Sequence, residues 1–328
     1  MVRFGVIGTN WITERFIDGA KQVDDFSLTA VYSRTKDKAE AFAAKYDVGQ
    51  TYTDLDEFAQ SDIVDAVYVA SPNSLHAEQA IRCMQHGKHV IVEKAMASNS
   101  KEVAAMIKAA KENNVLLMEA LKTTHMPNFE VIKNNLHKIG TIRRYFASYC
   151  QYSTRYDKLK DGTVLNAFDP KFSNGSLMDI GIYCVYPMIA LFGKPNKWQA
   201  NAHMLYSGVD GQGSILFDYD QINGMVMYSK ISNSFVPSEI QGEKGSIIID
   251  NIQSLSKVEI RYNDGTIEDI AEPQVENTMF YEAKAFITLI KENKKQSDIN
   301  TFAVSLQTAE VLEEARKQFG LVFPADKA

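Results

Sequence analysis

Five short runs of apolar, largely β-branched residues punctuate the first 120 positions of this 328-residue chain, and none of them alternates with polar residues. They are Val2–Ile7, Leu28–Tyr32, Ala66–Ala70, His89–Val92 and Val115–Met118. A strand without alternation must be covered on both faces, which is the condition of a parallel sheet. The stretches between the runs carry helical spacing. Ile12, Phe16, Ala20 and Val23 share one helical face, and Ala39, Phe42, Ala43 and Tyr46 share another. Gly87 and Asn113-Asn114 read as helix stops. This alternation predicts a doubly wound α/β domain that ends near Ala120.

The rhythm changes beyond Thr141. Longer strands with alternation and tight turns are expected over Ile142–Tyr149, Gly213–Asp218, Gly224–Ser229, Gly245–Asp250 and Lys257–Tyr262. Asn263-Asp264-Gly265 is a hairpin signal, because Asp and Gly accept the positive φ of primed turns. One helix is expected from Leu177 to about Phe192, and another closes the region at Phe280–Glu292 or later. The second region is therefore α+β with a large, mostly antiparallel sheet. At about 150 residues per domain the length suggests two domains. They are placed at 1–121 and 122–328, with the last helix packing back on the first.

Composition narrows the function classes. Asp plus Glu is 41 against 35 Lys plus Arg, a net charge of −6 with no basic run, so no nucleic-acid partner is expected. No apolar run approaches the roughly 18 residues of a membrane helix, so no membrane partner is expected either. Met1 leads straight into the first strand without a charged leader or apolar signal segment. The three cysteines are too few and odd in number for a disulfide framework. The cytoplasm is the expected location.

The segment Gly8-Thr9-Asn10-Trp11-Ile12-Thr13 leaves the first strand and opens the first helix. That is the context of a Rossmann-type phosphate loop, where glycine lets backbone N–H groups approach a pyrophosphate at a helix N-terminus. A plain tight turn is the alternative. With Gly8 as first glycine of the fingerprint, Asn10 and Thr13 fall at the second and third. Asn tolerates the left-handed region, so the turn should survive, while Thr13 should loosen helix–strand packing. The second strand ends at Ser33-Arg34 with no acid at its tip, and Lys38 follows. Acids there bind a ribose 2′-hydroxyl and cations accommodate a 2′-phosphate, so these residues point to NADP over NAD, a solvated loop being the alternative. Ser71-Pro72-Asn73 with His76, and Glu93-Lys94, follow the third and fourth strands, at the ends where open α/β sheets bind ligands. Taken alone, Glu93-Lys94 could equally be a surface ion pair and His76 a capped helix residue.

Gly8-Thr9-Asn10, Ser71-Pro72-Asn73 with His76, Gly87 through Lys94, and Asn174 through Tyr183 together resemble the Gfo/Idh/MocA oxidoreductase family. Asp179-Ile180-Gly181-Ile182-Tyr183 is similar to the branch containing glucose–fructose oxidoreductase and dimeric dihydrodiol dehydrogenase. The resemblance implies a nucleotide domain, a second domain whose sheet serves oligomerisation, and NAD(P)-dependent hydride transfer on a sugar, polyol or dihydrodiol-like substrate. By position it implies Lys94, Asp179 and Tyr183 as catalytic residues and Asn73 and His76 near the nicotinamide. Ala95 stands where the family's Glu-Lys-Pro motif has proline.

Elementary chemistry agrees with that assignment. Hydride transfer to a carbonyl leaves an oxyanion that needs a proton and a nearby positive charge. A Tyr hydroxyl titrates near 10, and a neighbouring cation such as Lys94 lowers that value. Without the resemblance, Tyr183 reads as a half-buried aromatic in a helix. The expected cofactor set is Gly8, Thr9, Asn10, Trp11, Ile12, Ser33, Arg34, Lys38, Ser71, Pro72, Asn73, His76, Glu93 and Lys94. No metal is expected, because the Cys83, His86 and His89 side chains diverge across a helix end. A homodimer or higher homo-oligomer is expected. A non-catalytic NAD(P)-binding sensor of the same fold is the rival reading, against which the retained acid–base residues argue. Specificity should depend on the loop Gln151–Phe172.

Overall fold

In the computed structural model, which describes residues 1–327, the first strands alternate with helices as their apolar runs require. β1 (Val2–Ile7), α1 (Trp11–Ala20), β2 (Phe26–Tyr32), α2 (Lys36–Ala44), β3 (Gln50–Tyr52), α3 (Leu55–Gln60), β4 (Ala66–Val69), α4 (Asn73–Gln85), β5 (His89–Glu93), α5 (Ser100–Glu112) and β6 (Leu117–Ala120) follow in order. The strands form one parallel sheet in the order β3-β2-β1-β4-β5-β6. β4 is buried at every residue, the covering on both faces that its unbroken apolar run implied. Phe4, Phe16, Phe26 and Tyr68 pack beneath α1, with the Phe16 and Tyr68 rings stacked at 3.8 Å. β3 and α3 carry no apolar run of useful length. A three-residue edge strand and a six-residue helix capped by Asp54 are held by their neighbours instead.

The second region begins with α6 (Pro127–Asn135), β7 (Ile142–Cys150), α7 (Thr154–Lys160) and α8 (Ile182–Phe192). β8 (Lys197–Met204), β9 (Asp210–Asp218), β10 (Asn223–Ser229), β11 (Ser238–Gly242), β12 (Gly245–Ile249), β13 (Val258–Tyr262) and β14 (Ile267–Asp269) follow. Eight strands pair in the order β14-β13-β12-β11-β7-β10-β9-β8, antiparallel throughout except for β7 with β10. One face is buried through Tyr145, Ala147, Val226, Tyr228 and Ile240, and Tyr145 donates its hydroxyl hydrogen bond to the Cys184 carbonyl of α8 at 2.9 Å. The turn after β13 has three residues, and Gly265 alone among them takes positive φ, at +91°. It is a longer hairpin loop rather than the primed two-residue turn.

Two further helices, α9 (Met279–Lys291) and α10 (Phe302–Gln318), complete the chain's longer elements. The chain divides into a unit of Met1–Lys122 with Val275–Leu306, and a unit of Thr123–Gln274 with the residues from Gln307. Residues 122–328 are thus not one continuous block. α9 packs on α1, where Phe286 meets Phe4 at a ring separation of 6.0 Å. Apolar burial, not chain order, decides where it belongs. One expectation is corrected outright. Pro170–Phe192 is long and apolar enough to cross a membrane by length and composition, but most of it is buried inside the protein. It is core, broken by a left-handed residue at Ser173 and by a wide helical turn.

Candidate active site

In an open parallel sheet ligands bind beyond the carboxyl ends of the strands, where the strand order reverses. Here that point lies between β1 and β4. Gly8 has φ +106°, and a Cβ there would stand 2.6 Å from the Ala70 carbonyl oxygen, so only glycine fits. Asn10 does not take the left-handed conformation expected of it. Its backbone is extended, and Oδ1 caps α1 by accepting from the Ile12 and Thr13 amides at 2.9 and 3.4 Å. Its Nδ2 donates to the Ala70 carbonyl at 2.7 Å, tying the two loops of the switch point together. The Ile12 amide is therefore already engaged by Asn10. Trp11 is 59% exposed, and Thr13 is buried rather than loosening the packing. The cradle fits a dinucleotide: the glycine allows close backbone approach at a helix N-terminus. Beyond β2, Arg34 and Lys38 stand exposed beside half-buried Ser33, with no ion pair among the described residues.

The loops after β4 and β5 interlock. Pro72 precedes α4, whose first residue, Asn73, is buried, and Ser71 donates its hydroxyl hydrogen bond to Gln79 at 2.6 Å. His76 is fully buried, with Nδ1 3.0 Å from the Ala95 carbonyl and Nε2 2.8 Å from the Ser71 carbonyl. Burial pushes its pKa down to about 4, and the neutral ring has one N–H, which donates to one of these two carbonyls. Lys94 is half-buried, and the Lys94–Ala95 peptide is cis. Glu93 is buried and accepts from the Tyr68 hydroxyl at 2.6 Å; burial raises its pKa while Lys94 lowers it.

Three neighbours of Lys94's loop escaped the sequence reading. Glu119 at the end of β6 accepts from the Met96 amide at 2.9 Å, and burial pushes its pKa up to about 7. Lys122 donates to the Thr278 hydroxyl at 2.7 Å, and burial lowers its pKa. Glu282, one turn further along α9, is fully buried with no hydrogen bond to either carboxyl oxygen, and burial raises its pKa strongly.

The other expected catalytic residues, Asp179 and Tyr183, belong to the second unit. Leu177–Gly181 forms one wide turn with hydrogen bonds from i to i+5, and α8 continues it. Such turns frequently mark functional sites. Asp210 anchors its start by accepting from the Leu177 amide at 2.7 Å. Gly181 lets it sit against Tyr228, since a Cβ there would come within 3.0 Å of that ring. From Gly175 to Ile189 every residue is buried except Asp179 and Tyr183. Four apart, they lie on one side of the helical segment. Tyr183 packs edge-on against Tyr149 at 5.7 Å. Asp179 forms an ion pair with Lys230, which the sequence reading also missed. Of the cysteine–histidine cluster, Cys83 is buried and His89 accepts from the Leu116 amide at 2.9 Å.

A switch-point loop shaped for a dinucleotide in one unit, and in the other a buried helix that bares only an acid and a tyrosine, are the parts of a dinucleotide-dependent oxidoreductase. Residues 2–121 match the description "Oxidoreductase family, NAD-binding Rossmann fold", and residues 135–248 match the "GFO/IDH/MocA C-terminal domain". The chain is 58% identical, over the whole of both chains, to a scyllo-inositol 2-dehydrogenase (NADP(+)) of Bacillus subtilis strain 168. It is 28% identical to a trans-1,2-dihydrobenzene-1,2-diol dehydrogenase of Mus musculus, covering 99% of each. Among solved structures, a 3-ketoreductase from Actinomadura kijaniata in complex with NADP and TDP-benzene shares the fold. Its TM-score is 0.85 at 23% identity, over 97% of this chain and 98% of that one. The chain belongs to the Gfo/Idh/MocA oxidoreductase family. It is an NAD(P)-dependent oxidoreductase acting on CH–OH groups.

The raised pKa of Glu119 predicts a pH-dependent stability. The folded state keeps the proton up to about pH 7, whereas the unfolded chain releases it near 4.5. The stability that goes with the proton is complete below pH 4.5 and lost as pH rises through 7. Glu119→Gln removes that loss, so it should unfold like wild type at pH 4 and be more stable at pH 8 by about 3 kcal/mol. Urea midpoints that coincide at pH 8 would refute this.

Proposed function

We propose that the chain is an NADP-preferring dehydrogenase of a cyclitol, interconverting a ring hydroxyl of an inositol with the corresponding ketone. The observation that carries the reading is the buried segment Gly175–Ile189, which opens only at Asp179 and Tyr183. A sensor has no use for an acid–base pair presented this way. The full-length similarity to a scyllo-inositol dehydrogenase supports the substrate class.

We assign the dinucleotide to Gly8, Thr9, Asn10 and Trp11 at its pyrophosphate, and to Ser33, Arg34 and Lys38 at its ribose phosphate. Ser71, Pro72, Asn73, Glu93 and Lys94 are assigned to its nicotinamide end. When bound, the cofactor supplies or accepts the hydride. The protein's own task is the proton and the charge. Tyr183 exchanges a proton with the reacting oxygen, Lys94 supplies positive charge to it, and Asp179 orients the substrate through a hydroxyl hydrogen bond. The exposed cations at Arg34 and Lys38, with no acid at the strand tip, support the NADP preference.

We further propose a homodimer. Leu216, Met225, Phe146, Glu239 and Ile248 stand in register across five strands on the face opposite α8, and Leu216 is 54% exposed. Such a row, apolar at four of its five positions, suits an isologous contact. The three free thiols support a reducing, cytoplasmic setting.

Four measurements test these readings. NADPH should bind about tenfold more tightly than NADH, roughly 1.4 kcal/mol, and Arg34→Ala should remove most of that difference; equal dissociation constants in a fluorescence titration refute it. In a panel of inositols, sugars and diols assayed with NADP⁺, an inositol should give the highest kcat/KM. Tyr183→Phe and Lys94→Ala should each slow turnover by about 10²–10⁴-fold, and the double variant should be little slower than the worse single one. Tyr183→Phe keeping more than half of wild-type turnover sinks the proton assignment. Light scattering should give twice the 36.8 kDa chain mass, and a monomer mass at micromolar concentration ends the dimer proposal.

A further inference from the structure

Lys230 follows β10 directly, and its side chain is only 5% exposed. Its ammonium pairs with the Oδ2 of Asp179, whose own side chain is 27% exposed, and lies 5.5 Å from the centre of the Phe168 ring. The backbone at this position is fixed on both sides. Its N–H donates to the Gly211 carbonyl at 2.9 Å, and its carbonyl accepts from the Ser153 amide at 2.9 Å. The adjoining loop is tightened by the Ser229 hydroxyl oxygen, which accepts from the Ile231 and Ser232 amides at 3.1 and 2.9 Å. A lysine seated this rigidly has little freedom to swing toward solvent.

Burying an ammonium costs several kcal/mol unless it is paired, and a well-packed apolar side chain would often serve stability as well or better. The Lys230–Asp179 pair is therefore weak evidence for a stabilising role. What the pair does achieve is directional. A compact point charge on one carboxylate oxygen limits the rotation of Asp179, while the aromatic face of Phe168 holds the ammonium from another side. Asp179 lies in the wide turn that leads into α8, one of the two residues through which that buried segment meets solvent.

We propose that Lys230 is a positioning residue: it holds the Asp179 carboxylate aimed beside Tyr183, so that Asp179 receives a substrate hydroxyl in a fixed direction. This rests on the assignment of Asp179 and Tyr183 to the substrate. Lys230 acts through Asp179 and touches no reacting atom. Its removal should show in substrate affinity before cofactor affinity.

The test uses the full-length enzyme with NADP⁺ and whichever polyol of the panel gives turnover. Lys230→Met, which keeps the apolar stem, should raise KM at least tenfold while leaving the NADPH dissociation constant within about twofold. Asp179→Asn should raise KM by a similar factor, and Lys230→Met/Asp179→Asn should be no worse than the poorer single variant. Lys230→Arg keeps the charge and should hold KM within about threefold of wild type. Multiplying effects in the double variant overturn the proposal, because they mean that Lys230 acts apart from Asp179. So does Lys230→Met with a lowered melting temperature but unchanged KM and kcat, the mark of a merely structural pair. If Lys230→Met does not fold, the double variant carries neither charge and is compared with Asp179→Asn alone. Equal KM values support the proposal, and a further tenfold rise defeats it. An Asp179→Asn enzyme with wild-type KM would instead remove the assignment of Asp179 itself, and the role of Lys230 with it.

Discussion

Parallel strand pairing is the constraint from which the cofactor site follows. All six strands of the first unit run the same way, so residues separated by many positions in the chain arrive at one sheet edge. Gly8, Ser71 and Lys94 are joined by no local motif, yet each immediately follows or lies close behind a strand of that sheet. The order β2-β1-β4 makes the connections after β1 and β4 leave in opposite senses, and Asn10 bridges them by hydrogen bonding to Ala70. Without that pairing Gly8 would have no carbonyl to approach and Asn10 nothing to tie.

The second constraint is the cost of burying charge. Around the carboxyl ends of β5 and β6, Glu93, Glu119 and Glu282 are all buried, and each has its pKa raised by desolvation. Lys122 is shifted in the direction that burial demands of a cation. Structural packing alone gives no reason to gather three carboxyls and a lysine there, since apolar residues would be easier to bury. Clusters of shifted groups collect where chemistry sets the requirement. His76 belongs to the same logic: burial pushes its pKa down, so it sits between the two loops without adding a positive charge beside Lys94.

Much of the fold was legible because its signals are local. β4 and the central residues of β1 and β5 are apolar on both faces, and burial at both faces is what such runs of Val, Ile, Phe and Tyr record. β8 could not be read this way. Lys-Trp-Gln-Ala-Asn-Ala-His-Met lies at the edge of its sheet with alternate residues exposed, and pairing with β9 supplies what its composition lacks. α9 was expected as a helix, but its place on α1 depends on which apolar surface is left to cover, which no local pattern states. In the site, Gly8 was legible because its positive φ is a backbone demand. Asn10 was misread because two properties of one residue compete there, tolerance of the left-handed region and capacity to cap. The cap prevailed, since its oxygen satisfies two amides of α1 that otherwise have no partner.

Lys230 shows the limit most clearly. It lies 51 positions from Asp179 and follows a strand of ordinary sequence, so nothing near it announces a partner. The pairing exists only because β10 runs parallel to β7 and antiparallel to β9 in a single register. That register ends at Ser229, so Lys230 emerges where the wide turn crosses the sheet. The turn is itself permitted by a glycine, Gly181, against Tyr228 of the same strand. Strand register, a missing side chain and a buried cation thus converge on one carboxylate. Its direction is a property of the sheet as a whole, and for that reason it could be seen only once the sheet was assembled.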